Sequence, residues 1–444
     1  MDHIINTPCG PVRGCAGRVP GTLAFKGIRY ATAGRWEYPK QVTGWEGVYD
    51  ATAYGHCAYQ ARAFYNEEEN LKKYFYYHEF RKGETYSYSD DCLFLNIFTP
   101  DTAAEGQKLP VLVYIHGGSF TGGCGHEKHF DGPVWPQRGV IGVTLNYRLG
   151  PMGFLCLPEL EKEAGHTGNY GLFDQLTALQ WVRDNIAAFG GNPENITIMG
   201  QSAGAMSVQL LCQSPLARGL FHKAVLSSGC GLVDMMCPST EKSGAFWAEV
   251  MARCGCATLE DLRKLPAEIL FAQWQRTKKE VKGGGMATFP VKDGLFLAED
   301  QTPVDVPYMA GSTSHDMASP ILFALTRKYM TARTPGYTWY FDRMLPGDDN
   351  GAWHSADLWY WFGTLDNCWR PMEQKDRDLS DTMVKYLCNF ASTGDPNGDG
   401  LSHWENAAKG QKQALCMGEN TPGMAKPNML KLVGIMLTNK AVGE

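Results

Sequence analysis

Short apolar runs recur along the chain, separated by stretches in which the apolar positions return every third or fourth residue. Leu109 to Ile115 is almost wholly apolar, and so is Val140 to Leu145, a pattern expected of parallel strands covered on both faces. Between the second run and a third, Ile196 to Met199, the residues Leu172, Leu176, Leu179, Val182 and Ile186 mark one face of a helix. That helix should stop at Gly190-Gly191-Asn192-Pro193, where glycine takes a left-handed cap and proline cannot continue the helix. Ala224 to Leu226, Val306 to Ala310 and Tyr337 to Phe341 read as further strands. Strands alternating with helices predict an α/β fold, a doubly wound and mostly parallel central sheet with helices on both faces. No internal repeat, low-complexity linker or composition break divides the 444 residues, so a single domain over 1–444 is expected, with excursions from the sheet.

One such excursion, at about 57–92, differs in character. Tyr65, Tyr74, Phe75, Tyr76, Tyr77, Phe80, Tyr86 and Tyr88 sit there among Glu67 to Glu69, Lys72, Lys73, Arg81 and Lys82. Aromatics mixed with charges fit a flap whose apolar side covers something, either the core or a substrate.

Composition narrows the function. At 44% hydrophobic and 20% charged residues the chain is globular, and its formal charge of -6, without a basic stripe, argues against nucleic acid as a partner. No apolar run approaches membrane-spanning length, and the N-terminal residues do not read as a signal peptide, so a cytoplasmic protein is expected. The 14 cysteines are scattered, with no pair of C-x2-C elements, and no metal site or cofactor is expected. Asp395 to Gly400 begins like a calcium loop, but Asn406 stands at its twelfth position in place of glutamate. His126 and His129 form a lone H-x2-H, read as a pocket or surface pair.

The chemistry-bearing motif is Gly200-Gln201-Ser202-Ala203-Gly204, which follows the strand at Ile196 to Met199 and leads into a helical stretch, Ala203 to Leu211. A serine on a tight strand-to-helix turn needs glycine two residues before and after it, where a Cβ would strike neighbouring backbone. A hydroxyl is a poor nucleophile unless an imidazole takes its proton and hydrogen-bond donors hold the oxyanion that forms. The donors should be the N–H of Ala203 and those of a glycine-rich loop after an earlier strand, and His116-Gly117-Gly118-Ser119-Phe120 occupies that place.

With these motifs the chain resembles the type-B carboxylesterases of the α/β-hydrolase class, a group that includes cholinesterase-like enzymes and bile-salt-activated lipases. The likeness also rests on Ser89 to Ile97, Asn146-Tyr147-Arg148-Leu149-Gly150, Asn169 to Gln175, and Asn389-Phe390-Ala391 with Gly394-Asp395-Pro396-Asn397. It implies an α/β-hydrolase fold with a cap or lid, and oxyanion donors at Gly118, Ser119 and Ala203. Position 119 is usually glycine or alanine in the family, but the main chain donates, so serine should be tolerated. The partners should follow in the order serine, acid, histidine. The resemblance makes Asp316, in Gly311-Ser312-Thr313-Ser314-His315-Asp316, the acid and His354, in Gly351-Ala352-Trp353-His354, the base, while His403 reads as structural.

Substrate contacts are expected at Gly117 and Phe120 of the glycine-rich loop and, from the composition of the aromatic excursion, at Tyr74 and Tyr77; the resemblance matches Cys57 and Cys92 to a pair that is disulfide-bonded in secreted relatives and would stay as thiols in a reducing cytosol. Ser228 matches a serine near the acid, or is a simple strand-end residue. Only 38 residues separate Asp316 from His354, where relatives insert a helical stretch that walls the acyl pocket. The expected activity is hydrolysis of small-molecule carboxylic esters through an acyl-enzyme. Hydrolysis of thioesters, lactones or amides, lipase action, and a silent interaction module of the same fold remain as alternatives, and the oligomeric state is open.

Overall fold

Alternation along the strands decides how the layers assemble. The computed structural model describes residues 3–438 except 72, 299–301, 334 and 408–411. Its main sheet contains β1 (His3–Thr7), β2 (Gly10–Ala16), β3 (Thr22–Arg29), β4 (Phe94–Pro100), β5 (Leu109–Ile115), β6 (Ile141–Leu145), β7 (Gly191–Gln201), β8 (Lys223–Ser227), β9 (Tyr308–Thr313), β10 (Gly336–Phe341), β11 (Ala414–Met417) and β12 (Gly423–Ala425). Their spatial order is β1-β2-β3-β4-β6-β5-β7-β8-β9-β10-β11-β12. Every neighbouring pair from β6 to β11 is parallel, and antiparallel strands flank this block on both sides.

The helices that bear on the site are α1 (Tyr74–Phe80), α2 (Tyr170–Asn185), α3 (Ala203–Gln213), α4 (Thr240–Arg253), α5 (Ala267–Glu280), α6 (Ser319–Met330), α7 (Leu358–Phe362) and α8 (Gln374–Thr393). Successive side chains of β5 point to opposite faces. Val111, Val113 and Ile115 join a core with Leu172, Leu176, Leu179 and Val182 of α2 and Val208 of α3. Leu112 and Tyr114 join a second core with Trp359 and Phe362 of α7 and Met383 and Leu387 of α8. The runs expected to be strands covered on both faces are therefore so covered.

The boundaries shift where proline and register intervene. β7 begins five residues earlier than its apolar run, because Gly191 pairs with Leu109 and the register then slips so that Val111 meets Ile196. Pro193 lies inside that irregular stretch, where no ladder donor is required. The strand expected from Val306 starts only at Tyr308, after Pro307. Between β8 and β9 the chain makes an excursion that the sequence reading did not resolve: α4 and α5 pack Trp247, Phe271 and Trp274 into a separate core shared with Trp36, Met152, Leu155 and Tyr170.

Buried ion pairs fix the loops at the top of the sheet. Arg148, after β6, reaches Asp174 of α2 through its Nε (2.9 Å) and Nη2 (2.7 Å), with both side chains buried. The aromatic excursion is held in the same way: Glu79 accepts from buried Arg370, and Glu127 accepts from Arg62 and Arg81. Removing one partner of such a pair strands the other charge away from water, so the excursion is anchored rather than loosely hung. No helix among the described residues is long and apolar enough to cross a membrane.

Candidate active site

Ser202 stands between β7 and α3 with φ +57° and ψ −125°, a conformation an L-residue holds only under constraint. Its N–H donates to Ser227 O at 2.8 Å. The glycines on either side are required by close backbone approach. A Cβ on Gly200 would lie 2.2 Å from Gly204 O, and one on Gly204 would lie 2.0 Å from Ile115 O. The turn thus lifts the hydroxyl to the end of the sheet at the N-terminus of α3, where helical N–H groups have no partner within the helix.

The acid and histidine arrive on neighbouring loops. His315 N–H donates to Ala352 O at 3.0 Å and residues 315 and 353 form a parallel bridge, which stitches the two turns together. His354 Nδ1 is hydrogen-bonded to Asp316 Oδ1, which also accepts from Met317 N–H at 2.9 Å. Burial pulls the His354 pKa down, but the adjacent Asp316 carboxylate outweighs it, and the net direction is upward. His354 Nε2 is buried without a hydrogen-bond partner among the described residues. Ser202 and His354 line one cleft of about 450 Å³ with Gly117, Gly118 and Ser119. The serine and the open ring nitrogen therefore border the same space.

The loop after β5 supplies the remaining polar surface. Gly118 has φ +108° and Ser119 φ +55°. Gly118 O accepts from Thr121 (2.9 Å) and Gly122 (3.0 Å), folding the loop back on itself, while Gly118 and Ser119 are exposed to the cleft. Their N–H groups and that of Ala203 make no hydrogen bonds among the described residues.

Phe120, Tyr74 and Tyr77 lie outside the lining of this cleft. Phe120 does not contact the cleft: it is fully buried, packed edge-on against Phe154 and Phe289, and its carbonyl accepts from Gly150 N–H. Tyr74 and Tyr77 share the outer face of α1, Tyr77 Oη donating to Glu68 at 2.7 Å and the Tyr74 ring stacking on His78. Helical periodicity turns Tyr76 and Phe80 to the cleft instead, and Phe75, Tyr76 and Phe80 pack on Trp353, next to His354. Cys57 and Cys92 are both free thiols in different surroundings. Cys57 Sγ lies 3.5 Å from His126 Nε2 and near Cys124, whereas burial raises the Cys92 thiol beside the Arg148–Asp174 pair. His129 does not join His126: it is buried against Phe80 and Trp359, and burial drives its pKa down to about 3.

Other residues escaped the sequence reading. Asp357 is fully buried below His354, accepting from Ser227 Oγ at 2.9 Å and Trp361 Nε1 at 3.1 Å. Burial, with the nearby Asp316 charge, pushes its pKa up to about 6 despite those donors. Ser228, next to Ser227 at the end of β8, has a buried hydroxyl with no hydrogen-bond partner among the described residues. Gln201 Nε2 donates to His354 O at 2.8 Å, tying the His354 loop to the Ser202 turn. Asp357 could have been suspected only from its spacing three residues after His354. Nothing local marks Gln201.

The chain is similar to known esterases in sequence and in fold. A para-nitrobenzyl esterase of Bacillus subtilis (strain 168) is 32% identical to the chain, over 90% of this chain and 92% of its own. A solved PNB esterase superposes with a TM-score of 0.81 at 27% identity, covering 98% of this chain and all of that one. An esterase from anaerobic Clostridium hathewayi, described as able to hydrolyse aliphatic aromatic polyesters, reaches 0.83 at 27% identity, covering 98% and 99%. The model of the carboxylesterase family matches residues 1–328 and 317–431. With a tight strand-to-helix turn at Ser202, a histidine–carboxylate pair and an open amide loop on a mostly parallel sheet, the chain belongs to the carboxylesterase family of α/β-hydrolases, which are carboxylic ester hydrolases.

Proposed function

We propose that Ser202 is the nucleophile, His354 the general base and Asp316 the residue that fixes the imidazole. The observation that carries the assignment is the His354 ring itself, bonded at Nδ1 to Asp316 and open at Nε2 toward the cleft that Ser202 lines. In this reading neutral Nε2 takes the Ser202 proton as Oγ attacks the ester carbonyl. Asp316 accepts from Nδ1–H and stabilises the imidazolium without taking its proton. The carbonyl oxygen gathers charge opposite the N–H groups of Gly118, Ser119 and Ala203, already aimed before reaction. The imidazolium protonates the departing alcohol, and water attacks the acyl-enzyme through the same ring. No cofactor enters these steps.

The substrates in this reading are small esters with an aromatic or otherwise bulky part, since Tyr76, Phe80, Tyr114 and Phe130 line the cleft and relatives are described as acting on para-nitrobenzyl esters and aromatic polyesters. A reducing cytoplasm suits its 14 cysteines and the separate surroundings of Cys57 and Cys92. The deciding experiment treats the folded protein with an organophosphate and locates the adduct by mass spectrometry. One equivalent on Ser202, with loss of ester hydrolysis, is expected. A labelled residue elsewhere, or a Ser202→Ala variant that still hydrolyses esters at the original rate, refutes the assignment. Matched ester, thioester and amide forms of one acyl group then rank the reaction types by kcat/KM.

A further inference from the structure

Two segments far apart in sequence bring three metal-binding side chains together. Cys57 pairs in parallel with Tyr88 at the base of the aromatic excursion, whereas Cys124 and His126 follow the amide loop after β5. Cys57 Sγ, Cys124 Sγ and a ring nitrogen of His126 all lie within 4.8 Å of one another, and Cys57 Sγ is 3.5 Å from His126 Nε2. Both thiols are free and buried. His126 is half-buried and borders a small cavity of about 100 Å³ with Tyr86 and Ser87, which leaves the ring in reach of solvent. Zinc bonds of about 2.3 Å to sulfur and about 2.0 Å to nitrogen, at tetrahedral angles, set neighbouring ligand atoms about 3.5 to 3.8 Å apart. The Cys57 to His126 separation already falls in that range.

The surroundings hold these donors in place. Tyr54 stacks on the His126 ring at 4.6 Å and 10°, and its hydroxyl is hydrogen-bonded to Asp131. Gln60 brackets the residue before Cys124, accepting from Gly123 N–H at 2.9 Å and donating to Gly123 O at 3.0 Å. Arg62 Nη2 lies 4.0 Å from Cys124 Sγ, and a nearby cation favours the thiolate that metals bind. Glu127 balances Arg62, so two thiolates and a divalent ion add no net charge to a buried place.

We propose that Cys57, Cys124 and His126 form a zinc site with two sulfur ligands and one nitrogen ligand, the fourth position being left to water. Binding breaks two S–H bonds, forms two Zn–S bonds and one Zn–N bond, and releases both protons to solvent. Thiolates with imidazole select zinc over magnesium or calcium. The ion pins the base of the aromatic excursion to the tail of the amide loop, since Gly122, two residues before Cys124, donates to Gly118 O. It takes no part in the ester chemistry assigned to Ser202.

The test titrates reduced, metal-free full-length protein, handled without oxygen, with cobalt(II) and then with zinc. A tetrahedral cobalt spectrum with a thiolate-to-cobalt charge-transfer band should saturate at one equivalent and be displaced by one equivalent of zinc. Zinc should release two protons per ion into a weak buffer. Cys124→Ser and His126→Gln should each weaken binding by about a hundredfold or more, since even the outer partners of metal ligands are worth about ten- to a hundredfold. Cys256→Ser, in Cys254-Gly255-Cys256, should leave binding unchanged. Hydrogen exchange over 56–60 and 118–126 should slow when zinc is added. The absence of a saturating band overturns the site, as does an octahedral spectrum without thiolate charge transfer. So does binding that survives both ligand variants or is lost in Cys256→Ser, which would place the ion among other thiols. The titration of the unaltered protein needs no variant to fold.

Discussion

Replacing Asp357 by asparagine should stabilise the protein, and more so as pH rises. The Asp357 carboxyl ordinarily titrates near 3.8 and is pushed up to about 6 in the fold, mainly by burial. At about 1.4 kcal/mol for each pH unit of displacement, ionising it in place costs about 3 kcal/mol. The sign follows from proton counting. Between about pH 4 and 6 the folded chain keeps a proton that the unfolded chain has released, so stability falls with rising pH through that window and the loss is complete above about pH 7. Asparagine has the same shape, can accept from Ser227 Oγ and Trp361 Nε1 through its carbonyl oxygen, and cannot ionise. Its advantage should therefore grow from about 1 kcal/mol at about pH 4.5 to nearly 3 kcal/mol at about pH 7.5. At about 2.1 cal/mol/K per residue over 444 residues, the growth of about 2 kcal/mol corresponds to about 2 °C in Tm. Thermal unfolding of both proteins in a buffer series measures this difference directly. A Tm difference that stays constant from about pH 4.5 to 7.5 would show that Asp357 titrates normally and that the burial argument is wrong. The Asp357 charge also raises the His354 pKa, so the variant's rate profile should move toward acid.

Hydrolysis should switch on as His354 loses its proton, with a midpoint above the ordinary imidazole value near 6.5 because Asp316 raises it; a rate flat from about pH 5 to 8, with chemistry limiting, would contradict this. The same ionisation adds stability below the ordinary value, lost as pH rises through the folded-state value. Asp316→Asn should lower kcat/KM by about three to four orders of magnitude while moving Tm little, since it leaves the ring with the wrong tautomer partner, and a loss under tenfold would point to another acid. Gly204→Ala should lower kcat by about a hundredfold or more, because its Cβ would lie 2.0 Å from Ile115 O at the start of the amide loop; near-normal turnover would mean the loop is not held by that contact.

Much of this protein was legible in sequence because the features concerned are local. Alternating apolar residues name strands, and Gly200 and Gly204 announce a turn that no Cβ tolerates. The Asp316 to His354 pairing was likewise reachable from the resemblance and the order of residues. Phe120, Tyr74 and Tyr77 were misread because composition says that a loop is aromatic but not which side of it faces a cleft. The phase of α1 turns Tyr76 inward, and the packing of Phe154 and Phe289 takes Phe120 into the core. Cys57 and Cys92 were matched by position, and their surroundings proved separate.

The chain order of residues thus determined the strands, the tight turn at Ser202 and the candidates Ser202, Asp316 and His354, since each is marked by neighbours a few positions away. Only the tertiary structure decided what lies beneath and around them: Asp357 under His354, Gln201 tying two loops, and Cys57 brought beside Cys124 and His126. Those relations are set by burial and charge between residues far apart in sequence, where no local periodicity records them.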